Sequence, residues 1–350
     1  MKQNVVTEML LDNLRLVTFS WRLLNEQPDI KDDFLVRVID DTRWPKDSVF
    51  FAVDAANCRH LLISIRDQEQ VISDTKSAGV QIREHILDDI IIGRRKFIDI
   101  VCLKPNLNDL FTILIGEIFE SLNTDLNNAN GICIKTLERW RELIEKGFQE
   151  KIGENQIIGL FGELNLLLKL VRCNPHTLEC WKGPLKARHD FMAPGISVEV
   201  KTSKRRYGRI IEINGYDQLE PLHGNSLYLS YIKLESTTDG ISIKDIIGDI
   251  SKNSVEKELF FTLLAGAGFN EETINYADNF KFRIVEDRTY NVENSFPHLT
   301  SKSFKGDALP PGILKITYEI DISNEPPFPL DADNEEKLIE TISQSYHEAS

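Results

Sequence analysis

The chain opens with apolar residues at helical spacing and then changes to short, strand-like apolar runs. Up to about Leu24, positions such as Leu10 and Leu14 follow helical periodicity, which predicts a first helix. Four apolar runs separated by turn-rich or charged pieces predict strands at 34–39, 48–53, 60–65 and 97–103. Helical spacing returns at 107–122. These patterns together predict an α+β domain.

An Asn- and Asp-rich break at 123–130 marks the predicted domain junction, so the N-terminal α+β domain is expected at 1–125. The pattern after it predicts helices at 132–147 and 155–171, a hairpin at 190–202, strands at 209–213, 227–232 and 313–320, and a short helix around Gln218. Helix, hairpin, helix and strand in this order are typical of a mixed α/β sheet. We expect this core and its extension at 126–323, and a peripheral acidic tail or interaction arm at 324–350.

Residues 196–202, ISVEVKT, alternate apolar and polar side chains, as a strand with one buried face does. This period puts Glu199 and Lys201 on the same side of the strand, about 7 Å apart. Upstream, the turn Ala193-Pro194-Gly195 can fold Asp190 back beside Glu199, because Pro and Gly supply the backbone conformations of a tight turn. Two carboxylates and one ammonium are therefore predicted to share a small site.

Two neighbouring carboxylates raise each other's pKa unless a cation lies between them. An oxygen-ligated hard metal is the natural partner, and we predict Mg²⁺, for which Mn²⁺ can substitute, with Asp190, Glu199 and Val200 as its ligands. The chemistry of such a metal is polarisation of a phosphoryl oxygen and activation of a water, while Lys201 can orient that water or stabilise developing negative charge. The pattern predicts metal-dependent phosphodiester hydrolysis.

The helix predicted at 155–171 is apolar nearly all round and should be buried. Its central part carries only three charged or amide residues, Glu163, Asn165 and Lys169. The last two share one helix face, whereas Glu163 points away from it into packing, where a carboxylate needs a partner. Gly159 and Gly162 would let the helix approach a sheet closely. Glu163 is therefore predicted to reach the metal site.

The net charge of −14 argues against a protein that coats nucleic acid by bulk electrostatics. Between Lys182 and Arg209, however, eight basic residues stand against only two acidic ones, Asp190 and Glu199. A charge run of this kind is usually a solvated face. The alternative is a DNA-binding surface, for which we predict the residues Lys186, Arg188, Lys204, Arg205, Arg206 and Arg209.

The apolar runs and the spacing of the cysteines indicate the cellular compartment of the protein and its metal-binding alternatives. The start lacks the apolar stretch of a signal peptide, and no apolar run has the length of a membrane span, so a cytoplasmic protein is expected. Five scattered cysteines do not form a disulfide framework. Cys173, His176 and Cys180, with His189 as a fourth ligand, are a weaker alternative for zinc, because paired CxxC spacing is missing.

Each candidate residue also has a purely structural interpretation. Glu199 and Lys201 could form an ion pair on an exposed sheet. Glu163 could be satisfied by a neighbouring Arg or backbone amide, and Asp190 could merely start a turn. Trp181 and Tyr207 are predicted to be packing residues rather than base-stacking ones.

The segment HDF…SVEVKTS, with the helix IIGLFGELNLLLKLV before it and INGYDQLEPL after it, resembles a bacterial PD-(D/E)xK-motif family encoded near restriction and phage-defence genes. The resemblance implies a restriction-endonuclease-like core in which Asp190 and Glu199 ligate the metal and Lys201 serves the nucleophilic water. It also implies that Glu163 supports the site and that Gln218 contacts the site or the substrate. His189 stands where the motif's name has Pro.

The resemblance implies a Mg²⁺-dependent endonuclease that cuts double-stranded DNA in restriction or phage defence. A homodimer and other restriction or defence subunits are candidate partners. The alternative is a non-catalytic DNA-binding or scaffold subunit that retains a nuclease fold, which suits the acidic overall charge.

Overall fold

The computed structural model describes residues 2–26, 34–39, 41, 43–89, 93–147, 152–293, 295–307 and 309–346. The chain divides into two compact units, an N-terminal unit (Lys2–Glu150) and a C-terminal unit (Lys151–Ser350). Within the described residues, no helix is long and apolar enough to cross a membrane.

The N-terminal unit combines an antiparallel sheet with helices. Its elements are α1 (Lys2–Asn25), β1 (Phe34–Val38), β2 (Val49–Asp54), β3 (Arg59–Ile65), β4 (Val80–Asp89), β5 (Gly93–Cys102), α2 (Asn108–Leu122) and α3 (Ala129–Gly147). The strands lie in the order β1-β2-β3-β5-β4. Both faces of β2 are buried. On one face Phe51 packs against Trp21 of α1, whose ring centroid is 4.5 Å away. On the other, Phe34 of β1 reaches His85 of β4 at 4.8 Å, so the sheet curls until its edges meet.

The predicted junction at residue 125 falls inside the N-terminal unit, which instead extends to Glu150. The Asn- and Asp-rich break is only a short connection between α2 and α3. Trp140 Nε1 of α3 donates a hydrogen bond of 2.9 Å to Glu117 of α2, and Asn130 bonds to the backbone of Ile72. Helix α3 therefore packs with the residues that precede the break.

The C-terminal unit is built around a mixed sheet. Its elements are α4 (Glu154–Cys173), β6 (Phe191–Ala193), β7 (Ile196–Ser203), β8 (Ile210–Ile213), β9 (Ser226–Ile241), α5 (Ile243–Asn253), α6 (Lys257–Gly266), α7 (Glu271–Ala277), β10 (Phe282–Asn291), β11 (Tyr318–Asp321) and α8 (Ala332–Gln344). The sheet order is β10-β9-β7-β6, with β7 parallel to β9. A ribbon of β8 and β11 packs on this sheet through a core that includes Ile213, Leu229 and Tyr290. The mixed sheet predicted from the element order is confirmed.

Several local predictions need correction. Gln218 lies in a turn rather than a short helix, and the late strand covers only Tyr318–Asp321. Strand β4 was not predicted, because this edge strand carries polar side chains such as Arg83 and Glu84 instead of an apolar run. Strand β7 has both faces buried, since α4 and the ribbon pack on the sheet.

Helix α4 approaches β7 closely at Gly162. A Cβ atom at this position would overlap Thr202 Oγ1 and would lie 3.1 Å from Val200 Cγ1. Gly159 has no such role, because nothing lies within 4 Å of the Cβ it would carry. The sequence therefore predicted the close approach of the helix to the sheet correctly. It attributed this approach to Gly159 as well as Gly162, although only Gly162 is needed.

Replacing Gly162 with Ala is expected to lower the free energy of unfolding by about 1–3 kcal/mol, because the new methyl group forces β7 and α4 apart. Urea denaturation measures this change. Gly159→Ala is the matched control on the same helix, and its better helix propensity should leave stability equal or higher. Equal stability of the two variants would contradict the close approach.

The last described residues, 332–346, pack on the C-terminal unit rather than extending from it as a tail. Ile342 of α8 is buried, and Glu335 pairs with Lys169 of α4 at 3.0 Å. Beyond the helix, Tyr346 donates from its hydroxyl group to the carbonyl of Met192 on β6 at 2.8 Å. The acidic start of α8 is therefore partly neutralised by α4.

Candidate active site

The β6–β7 hairpin brings Asp190 beside Glu199, as the Pro-Gly turn predicts. Phe191 pairs with Val198 in antiparallel register. Asp190, one residue before Phe191, therefore lies opposite Glu199, one residue after Val198. Gly195 has φ of 77°, a value that favours glycine and suits the second central position of a Pro-Gly turn. Asp190 Oδ2 also accepts a hydrogen bond of 2.9 Å from the backbone N–H of Val200. The carboxylate is thereby fixed against β7.

Lys201 is held between a carboxylate and an amide oxygen. Its Nζ lies 2.9 Å from Glu199 Oε1 and donates to Gln218 Oε1 at 3.1 Å. The backbone N–H of Asn214 donates to the same Gln218 oxygen at 2.9 Å. Gln218 thus fixes the position of the Lys201 ammonium. Only the family resemblance predicted that Gln218 belongs to the site, because no periodicity in the sequence indicates it.

Glu163 faces this site from α4 and is bound by a residue that the sequence did not assign to the site. Trp181 Nε1 donates to Glu163 Oε2 at 2.7 Å, and the indole is fully buried. Asn165 and Lys169 instead reach Asp287 on β10, at 3.3 and 2.9 Å. The helical wheel therefore separated the two faces correctly. The sequence contains one general indication that Trp181 could belong to the site, because a buried indole N–H group needs a hydrogen-bond acceptor.

The backbone of the segment that carries Trp181 also contacts Asp190. The N–H groups of Lys182 and Gly183 both donate to the Asp190 carbonyl, at 2.7 and 3.0 Å. A Cβ atom on Gly183 would lie 2.7 Å from Glu163 Oε2 and 3.1 Å from Asp190 Oδ1. The absence of a side chain at Gly183 is what allows the backbone to lie against both carboxylates.

Three carboxyl groups and one ammonium group interact at this site. Burial and the charge of Asp190 raise the pKa of Glu199 to about 8. Burial and Asp190 also raise the pKa of Glu163 well above its ordinary value, and burial raises that of Asp190. Burial lowers the pKa of Lys201, but the charges of Glu199 and Asp190 outweigh it, so the net shift is upward. The site therefore has an excess of buried acid.

These residues fit a hard divalent cation. Glu199 Oε2 is buried and has no hydrogen-bond partner in the described part of the chain, so it can accept a cation. Val200 can offer only its main-chain carbonyl, because its side chain faces Gly162. Across the described residues, no three His, Cys, Asp or Glu side chains form a complete metal site. A cation held by Asp190 and Glu199 therefore requires main-chain, water or substrate oxygens as further ligands.

Four of the six basic residues predicted to bind DNA are paired with carboxylates. The pairs are Arg188 with Asp217, Lys204 with Glu154, Arg205 with Glu319 and Arg209 with Glu286. The guanidinium of Arg209 additionally donates to the carbonyl of Ser323 at 2.7 Å, and its hydrogen bond to Glu286 raises its pKa. Arg209 therefore connects the ribbon to the sheet. Lys186 and Arg206 are exposed and, among the described residues, neither has a carboxylate partner.

The zinc alternative is not supported by the structure. Cys173 is exposed at the end of α4, whereas Cys180 is buried and burial raises its pKa. His189 is buried, and burial lowers its pKa to about 4. Together with His176, these residues do not form a metal-binding group among the described residues.

Comparison with known proteins identifies the family. A family model described as "Putative PD-(D/E)XK family member, (DUF4420)" matches residues 18–323, which is most of the chain. The chain therefore belongs to this family, and the candidate site lies inside the matched range. Membership supports a nuclease-like function and agrees with the mixed α/β fold. No curated protein and no solved structure matches the chain significantly.

Proposed function

We propose that the chain is a Mg²⁺-dependent endonuclease that hydrolyses DNA phosphodiester bonds in restriction or phage defence. The observation that carries this proposal is the close grouping of Asp190, Glu199 and Lys201. The ammonium of Lys201 lies within hydrogen-bonding distance of Glu199, and the carboxylate of Asp190 accepts a hydrogen bond from the backbone of the same strand, β7. Membership of a PD-(D/E)XK family supports the same reaction class. We further propose a cytoplasmic location, with double-stranded DNA as the substrate and a homodimer or other defence subunits as additional partners.

The proposed roles follow from where each side chain lies. Asp190, Glu199 and the carbonyl of Val200 hold the cation, which when bound supplies polarisation of the phosphoryl oxygen and a water of lowered pKa. Lys201 orients the attacking water and stabilises negative charge as it develops on the phosphate. Gln218 positions Lys201, and Glu163, fixed by Trp181, supports the acids from α4.

A non-catalytic DNA-binding or scaffold subunit is the competing proposal. The close grouping of three carboxyl groups with raised pKa values argues against it, because such a grouping destabilises a fold and is typical of sites that perform chemistry.

The proposal is tested by incubating the full-length protein with supercoiled plasmid DNA and Mg²⁺. Nicked or linear product is expected with Mg²⁺ or Mn²⁺ and none in EDTA. DNA binding without cleavage, under conditions where thermal shifts show that the metal binds, would favour the scaffold proposal.

Gly183→Ala is expected to slow cleavage about 100-fold and to lower the melting temperature by a few degrees. The added Cβ displaces the carboxylates of Glu163 and Asp190, and a misplacement of about 1 Å is enough for such a loss of rate. The displacement also strains the buried hydrogen bond between Trp181 and Glu163, which is why some stability is lost. Single-turnover cleavage and thermal denaturation measure the two effects. Gly248→Ala on α5, where a Cβ meets nothing within 4 Å, is the matched control. Wild-type cleavage by Gly183→Ala would contradict the proposed geometry.

A further inference from the structure

The loop between β7 and β8 is anchored at both ends and carries an exposed tip. Lys204 pairs with Glu154 at the start of α4, and Arg205 pairs with Glu319 on β11. Gly208, at the far end, has φ of 71° and lies against Ser323, which accepts a hydrogen bond of 2.7 Å from the backbone N–H of Arg209. These contacts hold the loop in one place on the C-terminal unit.

The tip consists of Arg206 and Tyr207, which none of these contacts holds. Tyr207 is 77% exposed, the largest exposure of any aromatic side chain among the described residues. The guanidinium carbon of Arg206 lies 5.3 Å from the centroid of its ring. The sequence predicted a packing role for Tyr207, and this prediction is wrong. A cation stacked on one ring face leaves the other face open.

The position and chemistry of the tip suit nucleic acid. The loop continues strand β7, so Tyr207 follows Lys201 by six residues and lies within about 20 Å of it, the length of roughly six base pairs. In a chain of net charge −14, the neighbouring cations are neutralised by carboxylates, whereas Arg206 is stacked on an aromatic ring. A ring face beside a cation can contact a deoxyribose and the adjacent phosphate of a duplex, because the ring offers apolar area and the guanidinium donates to phosphate oxygens.

We propose that Arg206 and Tyr207 form a DNA contact that flanks the scissile phosphate. Tyr207 packs its open ring face against a deoxyribose, and Arg206 contacts an adjacent phosphate. This inference rests on the proposed function and extends it, because it adds Tyr207 to the predicted contact of Arg206 and places both outside the catalytic group.

The test measures binding of a fluorescein-labelled duplex by fluorescence anisotropy at several salt concentrations, with full-length protein carrying Glu199→Gln to prevent cleavage. Tyr207→Ala is expected to raise Kd about tenfold without changing the salt dependence, because apolar ring area is lost, and Tyr207→Phe should stay within about twofold. Arg206→Gln is expected to reduce the slope of log Kd against log salt by about 0.9, the value for one lost phosphate contact. Tyr276→Ala, which removes an aromatic ring 45% exposed on α7, is the matched control and should bind like the parent.

Each outcome separates this inference from the proposed function. If the wild-type protein cleaves DNA, the Glu199→Gln parent binds it, and Tyr207→Ala binds as tightly as Tyr276→Ala, the DNA contact is overturned and the nuclease proposal stands. If the wild-type protein neither binds nor cleaves DNA, both are overturned. Loss of affinity in Tyr207→Ala together with retention in Tyr207→Phe supports the contact, because both aromatic residues offer a ring face.

Discussion

Replacing Lys201 with Met is expected to slow DNA cleavage by about 100- to 1,000-fold while the protein still folds. Met keeps most of the aliphatic stem but removes the charge that lies 2.9 Å from Glu199 Oε1. Loss of one group that stabilises charge in the transition state has an effect of this size. Single-turnover cleavage at saturating protein should show the loss in the rate constant, with little change in the protein concentration that gives half-maximal rate.

The matched control for Lys201→Met is Lys169→Met. Lys169 is also partly buried and paired with two carboxylates, Asp287 and Glu335, but it lies on the opposite face of α4 from Glu163. This variant should lose some stability and retain its cleavage rate. Equal cleavage rates in Lys201→Met and the wild type would contradict the role of the ammonium group.

Removal of metal is expected to make the stability of the protein fall as pH rises from about 4.5 to about 8. Burial and Asp190 raise the pKa of Glu199 from 4.5 to about 8 in the folded state. Over this window the unfolded state has released the proton that the folded state keeps, so unfolding becomes easier at higher pH. The full shift corresponds to at most about 5 kcal/mol, and the contribution levels off above pH 8.

Urea denaturation of wild type and Glu199→Gln, in EDTA across this pH range, isolates the contribution of Glu199. Gln has the shape of the acid without its charge, so the stability advantage of Glu199→Gln should grow with pH up to about 8. Added Mg²⁺ should stabilise the wild type at pH 8 by mass action and have a smaller effect on Glu199→Gln. Glu212→Gln, at an exposed glutamate on β8, should follow the wild type in both experiments. A constant difference between wild type and Glu199→Gln across the range would contradict this account.

The sequence predicted those parts of the site that depend on local geometry. Strand period alone places Glu199 and Lys201 on one face, and the Pro-Gly turn is sufficient to return Asp190 to them. Helical period separates Glu163 from Lys169. These relations hold because a strand or helix fixes the direction of each side chain within a few residues.

The sequence did not predict contacts between segments distant in the chain. Which acceptor Trp181 finds depends on the path of the backbone between α4 and β6, and no local pattern encodes it. The ion pairs of Arg205 and Arg209 were not predicted for the same reason, because their carboxylate partners lie more than seventy residues away in the chain. The exposure of Tyr207 follows from the anchoring of its loop, again through distant partners.

We propose that Asp190 and Glu199 together bind a divalent cation. Anomalous diffraction from crystals soaked in Mn²⁺ tests it most directly, because the anomalous signal locates the ion itself. A peak is expected between these two carboxylates, and it should be absent from crystals of Glu199→Gln. A peak elsewhere in the protein at saturating Mn²⁺, with none between Asp190 and Glu199, would contradict it.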